Sequence, residues 1–113
     1  MRIAVKGRNV QVTDEMRRHV DRRFEKVARQ VSELAELELE LREERNPAIA
    51  DSQIAEVTLH LKGVTLRARE RSHDMGNAIN AVCEDLARQV KRHREKRRGR
   101  RKGAKEQPRP ATG

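Results

Sequence analysis

Residues 34–42, LAELELELR, alternate without a fault, with Leu37, Leu39 and Leu41 on one side of an extended chain and Glu36, Glu38 and Glu40 on the other. A period of two marks a strand with one buried face, because a helix would spread both residue types around its circumference. The next stretch, ERNPAIADSQ (44–53), contains Pro47 and reads as a hairpin loop. Alternation then resumes, with Ala55, Val57, Leu59 and Leu61 inward against Glu56, Thr58, His60 and Lys62 outward. Gly63 makes a tight turn, after which Val64, Leu66 and Ala68 point inward and Thr65, Arg67, Arg69 and Arg71 outward. These three strands form an antiparallel meander. Its open face is acidic on one flank and Arg-rich on the other, which favours cross-strand attraction through the middle strand.

Helical periodicity flanks the meander on both sides. Upstream, Ile3 to Val5 is a short strand closed by Gly7, and Thr13 precedes Asp14 and Glu15 as a helix cap precedes acids at the positive end of the dipole. Met16, Val20, Phe24, Val27 and Val31 then form one apolar stripe along a helix of about five turns. Downstream, Ser72 or Asp74 caps a second helix with Met75, Ile79, Val82, Leu86 and Val90 on its apolar stripe. Cys83 lies beside that stripe and reads as a small core residue. The second helix is expected to run to about Gly99, and the following GAKEQPRPATG (103–113), with Pro108 and Pro110, to be disordered.

Two apolar helix stripes and one apolar sheet face predict an α+β sandwich in the order β-α-β-β-β-α, with both helices on one face of a four-stranded sheet. The helical crossover makes the first strand parallel to the second. Residues 1–98 are expected to form one domain and residues 99–113 a basic tail or linker. The only aromatic residue is Phe24, and 40% of the chain is charged, so the core must be small and aliphatic.

The charge is distributed unevenly. Residues 1–90 balance 16 Lys and Arg against 16 Asp and Glu, whereas residues 91–113 hold 11 against two, so the excess of +9 lies in the C-terminal fifth. In VKRHREKRRGRRK (90–102) nine of thirteen residues are Lys or Arg. Such density is an electrostatic footprint for a polyanion, which gains by releasing condensed counterions. A lone Cys83 precludes an intramolecular disulfide and suits a reducing compartment. With no apolar run of signal-peptide or membrane-span length, the chain is expected to be soluble and cytoplasmic.

Catalysis finds little support. His19, His60, His73 and His93 have no partner at metal-ligand spacing, and there is no phosphate-binding glycine loop or nucleophile elbow. The acid pairs Glu43-Glu44 and Glu84-Asp85 read as solvated surface. The chain is therefore read as a binder and not an enzyme, with no metal, cofactor or small-molecule substrate. Single-strand readers stack bases on exposed rings, and the single Phe24 lies on a core stripe. What remains is recognition of backbone and shape by Arg, which outnumbers Lys 20 to 7. The outer face of the first helix is basic, carrying Arg18, Arg22, Lys26 and Arg29, with Arg17 and Arg23 on its flanks. On the second helix Arg88, Lys91 and Arg92 project from the face opposite the stripe, and the basic run continues through Arg94, Lys96, Arg97 and Arg98. The competing reading of the first helix is a solubilising face with intrahelical pairs such as Asp14 to Arg18.

Three segments resemble the ribosome hibernation factors, the family of the hibernation-promoting factor and the ribosome-associated inhibitor. They are IAVKGRNVQVTDEMRRHVDRRFEKV (3–27), VTLHLKG (57–63) and DMGNAINAVCEDLARQVKRH (74–93). The last keeps Asp74, Met75, Ala78, Ile79, Leu86, Arg88 and Gln89 of the family's second helix, and departs at Gly76, Asn80, Glu84 and Asp85. Asp85 stands where a lysine is usual and puts an anion near the expected RNA face. The resemblance implies the same fold, similar to a double-stranded-RNA-binding domain with an added strand. It also implies a partner, the small ribosomal subunit, bound at decoding-region rRNA across the path of messenger and transfer RNA, so that translation is blocked during starvation or stationary phase. Mapped onto this sequence, the candidate RNA contacts are Arg18, Arg22, Lys26 and Arg29 of the first helix, Arg88, Lys91 and Arg92 of the second, and Arg94, Lys96, Arg97 and Arg98 of the basic run. A monomer is expected, since long members pair through a C-terminal domain that this sequence does not contain. A short form and the N-terminal piece of a long form remain alternatives. The rival readings are an architectural protein that coats DNA through its tail and, more weakly, a polybasic segment on an anionic membrane.

Overall fold

The computed structural model describes residues 1–46 and 48–106, the side chains of 98–106 excepted. Its elements are β1 (Arg2–Arg8), α1 (Asp14–Ala28), β2 (Glu36–Glu43), β3 (Gln53–Leu61), β4 (Val64–Ser72) and α2 (Met75–Glu106). The four strands form one sheet in chain order, β1 parallel to β2 and the remaining pairs antiparallel. Both helices cover one face, giving the expected α+β sandwich. Pro47, in the β2–β3 connection, and the tail beyond residue 106 lie outside the described residues.

Local chemistry sets the helix boundaries. Thr13 is in extended backbone and its Oγ1 accepts the Met16 N–H at 3.1 Å, the N-cap bond that its position in the sequence predicts. For α2 the cap is Asp74, whose Oδ2 accepts the Asn77 N–H at 3.0 Å, while Ser72 ends β4. α1 stops at Ala28, about one turn before the apolar stripe does. Two hydrogen bonds redirect the chain there, with Ser32 Oγ accepting the Leu34 N–H and Ser32 O accepting the Ala35 N–H. Val31 consequently packs on the core from outside the helix. α2 differs in the other direction, continuing past Gly99 to Glu106.

The core is aliphatic around one ring. Leu37, Leu39 and Leu41 of β2 and Ala55, Val57 and Leu59 of β3 are buried against Val20, Phe24 and Val27 of α1 and Ile79, Val82, Leu86 and Val90 of α2. Alternation places Ile54 on the opposite, open face, yet it is 1% exposed. Its register neighbours are Arg42 and Arg71, and long arginine stems can shield an apolar side chain while their heads reach water. Gly7 is required by close approach, since a Cβ there would stand 2.3 Å from Val10 O. Gly63 takes φ of 81° in the β3–β4 turn, a conformation that disfavours side chains.

Cross-strand attraction on the open face is concentrated on β2. Arg42 Nη1 donates across to Glu56 of β3 at 3.4 Å, and also to Glu40 of its own strand at 3.0 Å, while His60 Nε2 of β3 lies 3.0 Å from Glu38. On the β4 flank, Arg67, Arg69 and Arg71 form no ion pair among the described residues, although Arg69 is in register with Glu56.

Candidate nucleic-acid interface

The apolar stripes of α1 and α2 turn toward the sheet, so their polar faces turn outward. Arg18, Arg22 and Lys26 follow one another along α1 at intervals of one turn and are all exposed. α2 adds Lys91 and Arg92, also exposed. Val90 is the last buried residue of α2 among those described, and from Lys91 to Arg97 the side chains are exposed or half-buried. At ~1.5 Å per residue, a helix of 32 residues extends about 48 Å, well beyond the ~30 Å of a nine-residue strand such as β4. The basic end of α2 is therefore a helical arm projecting from the sandwich.

A polar contact across the helix seam sets the spacing of the two basic rows. Arg23 Nε donates to Asn80 Oδ1 at 2.7 Å, and His19 Nε2 lies 2.9 Å from the same oxygen. Nearby, Cys83 Sγ donates to Arg23 O at 3.0 Å. Burial pushes the Cys83 thiol above its ordinary range, so it acts here as a weak donor and not as a nucleophile. Farther along, Arg94 Nη1 donates to Gln30 Oε1 at 3.4 Å, joining the start of the arm to the chain just after α1. Gln89 Nε2 donates to Arg67 O at 2.7 Å and fastens α2 to β4.

The candidate cations thus fall into distinct groups. Among the described residues, Arg18, Arg22, Lys26, Lys91, Arg92, Lys96 and Arg97 form no ion pair. Arg29 is partly neutralised by Glu25 at 3.2 Å, and Arg88 more weakly by Asp85 at 3.8 Å. Arg94 is hydrogen-bonded to a neutral amide and keeps its full charge. The Arg98 side chain lies outside the described residues. Among the described residues Asp14 and Arg18 do not pair, while Glu25 and Arg29 form an intrahelical pair of the kind that the solubilising reading of α1 expects. Sequence periodicity placed Arg23 on a flank and gave Asn80 no role. Their contact joins residues 57 apart and has no counterpart in local spacing.

Unneutralised cations on two adjacent helices suit phosphates spaced along a backbone, and the full burial of Phe24 leaves no ring to stack a base. The opposite face of the sheet carries charge of both signs. A groove there is lined by Glu36, Glu38, Glu40 and Glu56 together with Arg2, Lys6, His60 and Arg67. Among the described residues no group of three or more His, Cys, Asp or Glu could hold a metal ion, and no helix is long and apolar enough to cross a membrane.

Known proteins resemble the chain over most of its length. Residues 3–98 match the family described as Sigma 54 modulation protein / S30EA ribosomal protein. The chain is 30% identical over 100 residues to a ribosome hibernation promotion factor of Picosynechococcus, covering 88% of this chain and 52% of that protein. It is 30% identical over 96 residues to the ribosome hibernation promoting factor of Salmonella typhimurium, covering 85% of this chain and 96% of that one. It thus spans about half the length of the first relative and nearly all of the second. Among solved structures, the N-terminal domain of Thermus thermophilus Protein Y superposes with a TM-score of 0.72 at 26% identity, over 82% of this chain and 99% of that one.

Proposed function

The chain belongs to the Sigma 54 modulation protein / S30EA ribosomal protein family, and on that premise we propose that it is a ribosome hibernation factor that inhibits translation by occupying the messenger channel of the small subunit. The observation that carries this reading is the pair of basic rows on α1 and α2, largely free of ion pairs among the described residues and tied together by the Arg23–Asn80 bond. Arg18, Arg22 and Lys26 contact rRNA phosphates from α1, and Arg88, Lys91 and Arg92 do so from α2. The arm carrying Arg94, Lys96, Arg97 and Arg98 continues along the RNA and excludes messenger and transfer RNA. The protein acts in the cytoplasm as a monomer, as a binder without catalysis, under starvation or in stationary phase.

The direct test is translation in a reconstituted system with the full chain added before or after messenger RNA. The reading requires inhibition when the protein is added first and protection of ribosomes already engaged on a message. Equal inhibition in both orders would contradict channel occupancy. The concentration of charge in residues 91–113 favours a second reading, in which the tail coats nucleic acid of any kind. That reading requires duplex DNA to relieve the inhibition fully.

A further inference from the structure

The open face of the sheet carries a row of cations that the helical interface does not use. Alternation along β4 turns Leu66 and Ala68 toward the helices, so Arg67, Arg69 and Arg71 point to the opposite side. All three are exposed. At ~3.4 Å per residue they follow one another at ~6.8 Å, a step comparable to that between neighbouring phosphates on one nucleic-acid strand.

Arginines beside a strip of glutamates are ordinarily neutralised by it, but here the acids are already engaged. Arg2 stands 4.0 Å from Glu36, His60 Nε2 lies 3.0 Å from Glu38, and Arg42 pairs with both Glu40 and Glu56. Glu56 is the register partner of Arg69, yet its carboxylate accepts from Arg42 at 3.4 Å. No ion pair among the described residues reaches Arg67, Arg69 or Arg71. The row therefore keeps its full charge.

The chemistry of the row selects its occupant. Planar guanidinium forks match phosphate oxygens, and Thr65, two residues before Arg67 on the same face, adds an exposed hydroxyl of the kind that also binds phosphate. An acidic peptide would dock as an added strand, through main-chain bonds and side-chain pockets. β4 does lie at the sheet edge, but Gln89 already donates to its Arg67 O at 2.7 Å. Among the described residues the one large apolar side chain left exposed is Leu34, in the α1–β2 connection and not on this face. The glutamates of β2 and β3 repel a polyanion from the sheet centre, so a bound RNA strand runs along β4 and not across the strands.

We propose that Arg67, Arg69 and Arg71 form a second RNA-backbone site on the open face of the sheet, so that one molecule holds two RNA segments, one across the helices and one along β4. This adds a bridging activity to the proposed function, which uses the helical face and its arm alone.

The test mixes two differently labelled duplex RNAs of ~16 base pairs with a limiting amount of the full chain and counts complexes carrying both labels by fluorescence cross-correlation. One variant combines Arg67→Gln, Arg69→Gln and Arg71→Gln, a second replaces the same three arginines by lysine, and a third removes three cations from other sites through Arg2→Gln, Arg8→Gln and Arg45→Gln. The expected result is that the glutamine row variant retains the first duplex and binds the second on the order of tenfold more weakly, while the other two variants bridge as wild type does. Equal two-label counts for the glutamine row variant and wild type would overturn the site, as would an equal loss in the variant lacking Arg2, Arg8 and Arg45. Small-subunit binding by the same proteins keeps the two readings apart. A chain that bridges duplexes through the row yet leaves small subunits unbound would support the second site and overturn the ribosomal function.

Discussion

Arg23 of α1 and Asn80 of α2 meet at 2.7 Å through Nε and Oδ1, and His19 approaches the same amide oxygen at 2.9 Å. The contact uses the inner nitrogen of Arg23, a residue that is otherwise exposed. Asn80 therefore joins two helices and orients a cation at once.

Asn80→Ala should cost about 1 kcal/mol of stability, the usual loss for a hydrogen bond to a charged donor at a partly exposed seam. It should also weaken small-subunit binding, although no cation has been removed. Asn80→Asp keeps the acceptor and should retain both properties. Thermal unfolding and equilibrium binding of the two variants measure this, and equal binding by Asn80→Ala and wild type would remove the positioning role.

Salt should separate phosphate contacts from packing. The logarithm of affinity should fall linearly with the logarithm of salt, and each phosphate contact removed should lower the slope by roughly 0.7 to 0.9. Arg22→Ala with Lys26→Ala should therefore reduce the slope by about 1.5. Arg2→Ala, on the opposite face beside Glu36, should leave it unchanged.

Glu70 gives a pH dependence of stability whose sign can be worked out. Its folded carboxyl holds a proton more tightly than in the unfolded chain, so stability falls as pH rises through the folded value. Glu70→Gln mimics the protonated state. It should be indistinguishable from wild type below about pH 4 and more stable than wild type at neutral pH, as read from urea unfolding at the two pH values.

Gly7→Ala should destabilise the fold by roughly 1 to 3 kcal/mol, because the new Cβ would meet the Val10 carbonyl oxygen at 2.3 Å. Gly63→Ala, with open space around it but φ of 81°, should cost about 1 kcal/mol through backbone strain alone. Denaturant unfolding of both variants compares steric with conformational cost.

The meander was legible because each strand has one buried face, and the leucine–glutamate alternation of β2 leaves no other solution. The helices were legible from their stripes and caps, down to the Thr13 bond with the Met16 amide. The end of α1 was not, because Val31 continues the stripe after the Ser32 turn has ended the helix. Ile54 escaped because stems on neighbouring strands can bury a position that alternation leaves open. At the candidate interface, the exposed rows followed from periodicity alone. Arg23–Asn80 did not, since it joins elements that only the packed sandwich brings together.

The most direct test of the central claim is co-sedimentation with purified small subunits, with excess duplex DNA present, of the full chain and of a variant carrying Arg18→Glu, Arg22→Glu and Lys26→Glu. The account predicts that the full chain pellets with subunits despite the DNA, and that the variant, with its C-terminal cations intact, stays in the supernatant. Equal pelleting of the two, or displacement of the full chain by DNA, would place the affinity in the tail and contradict it.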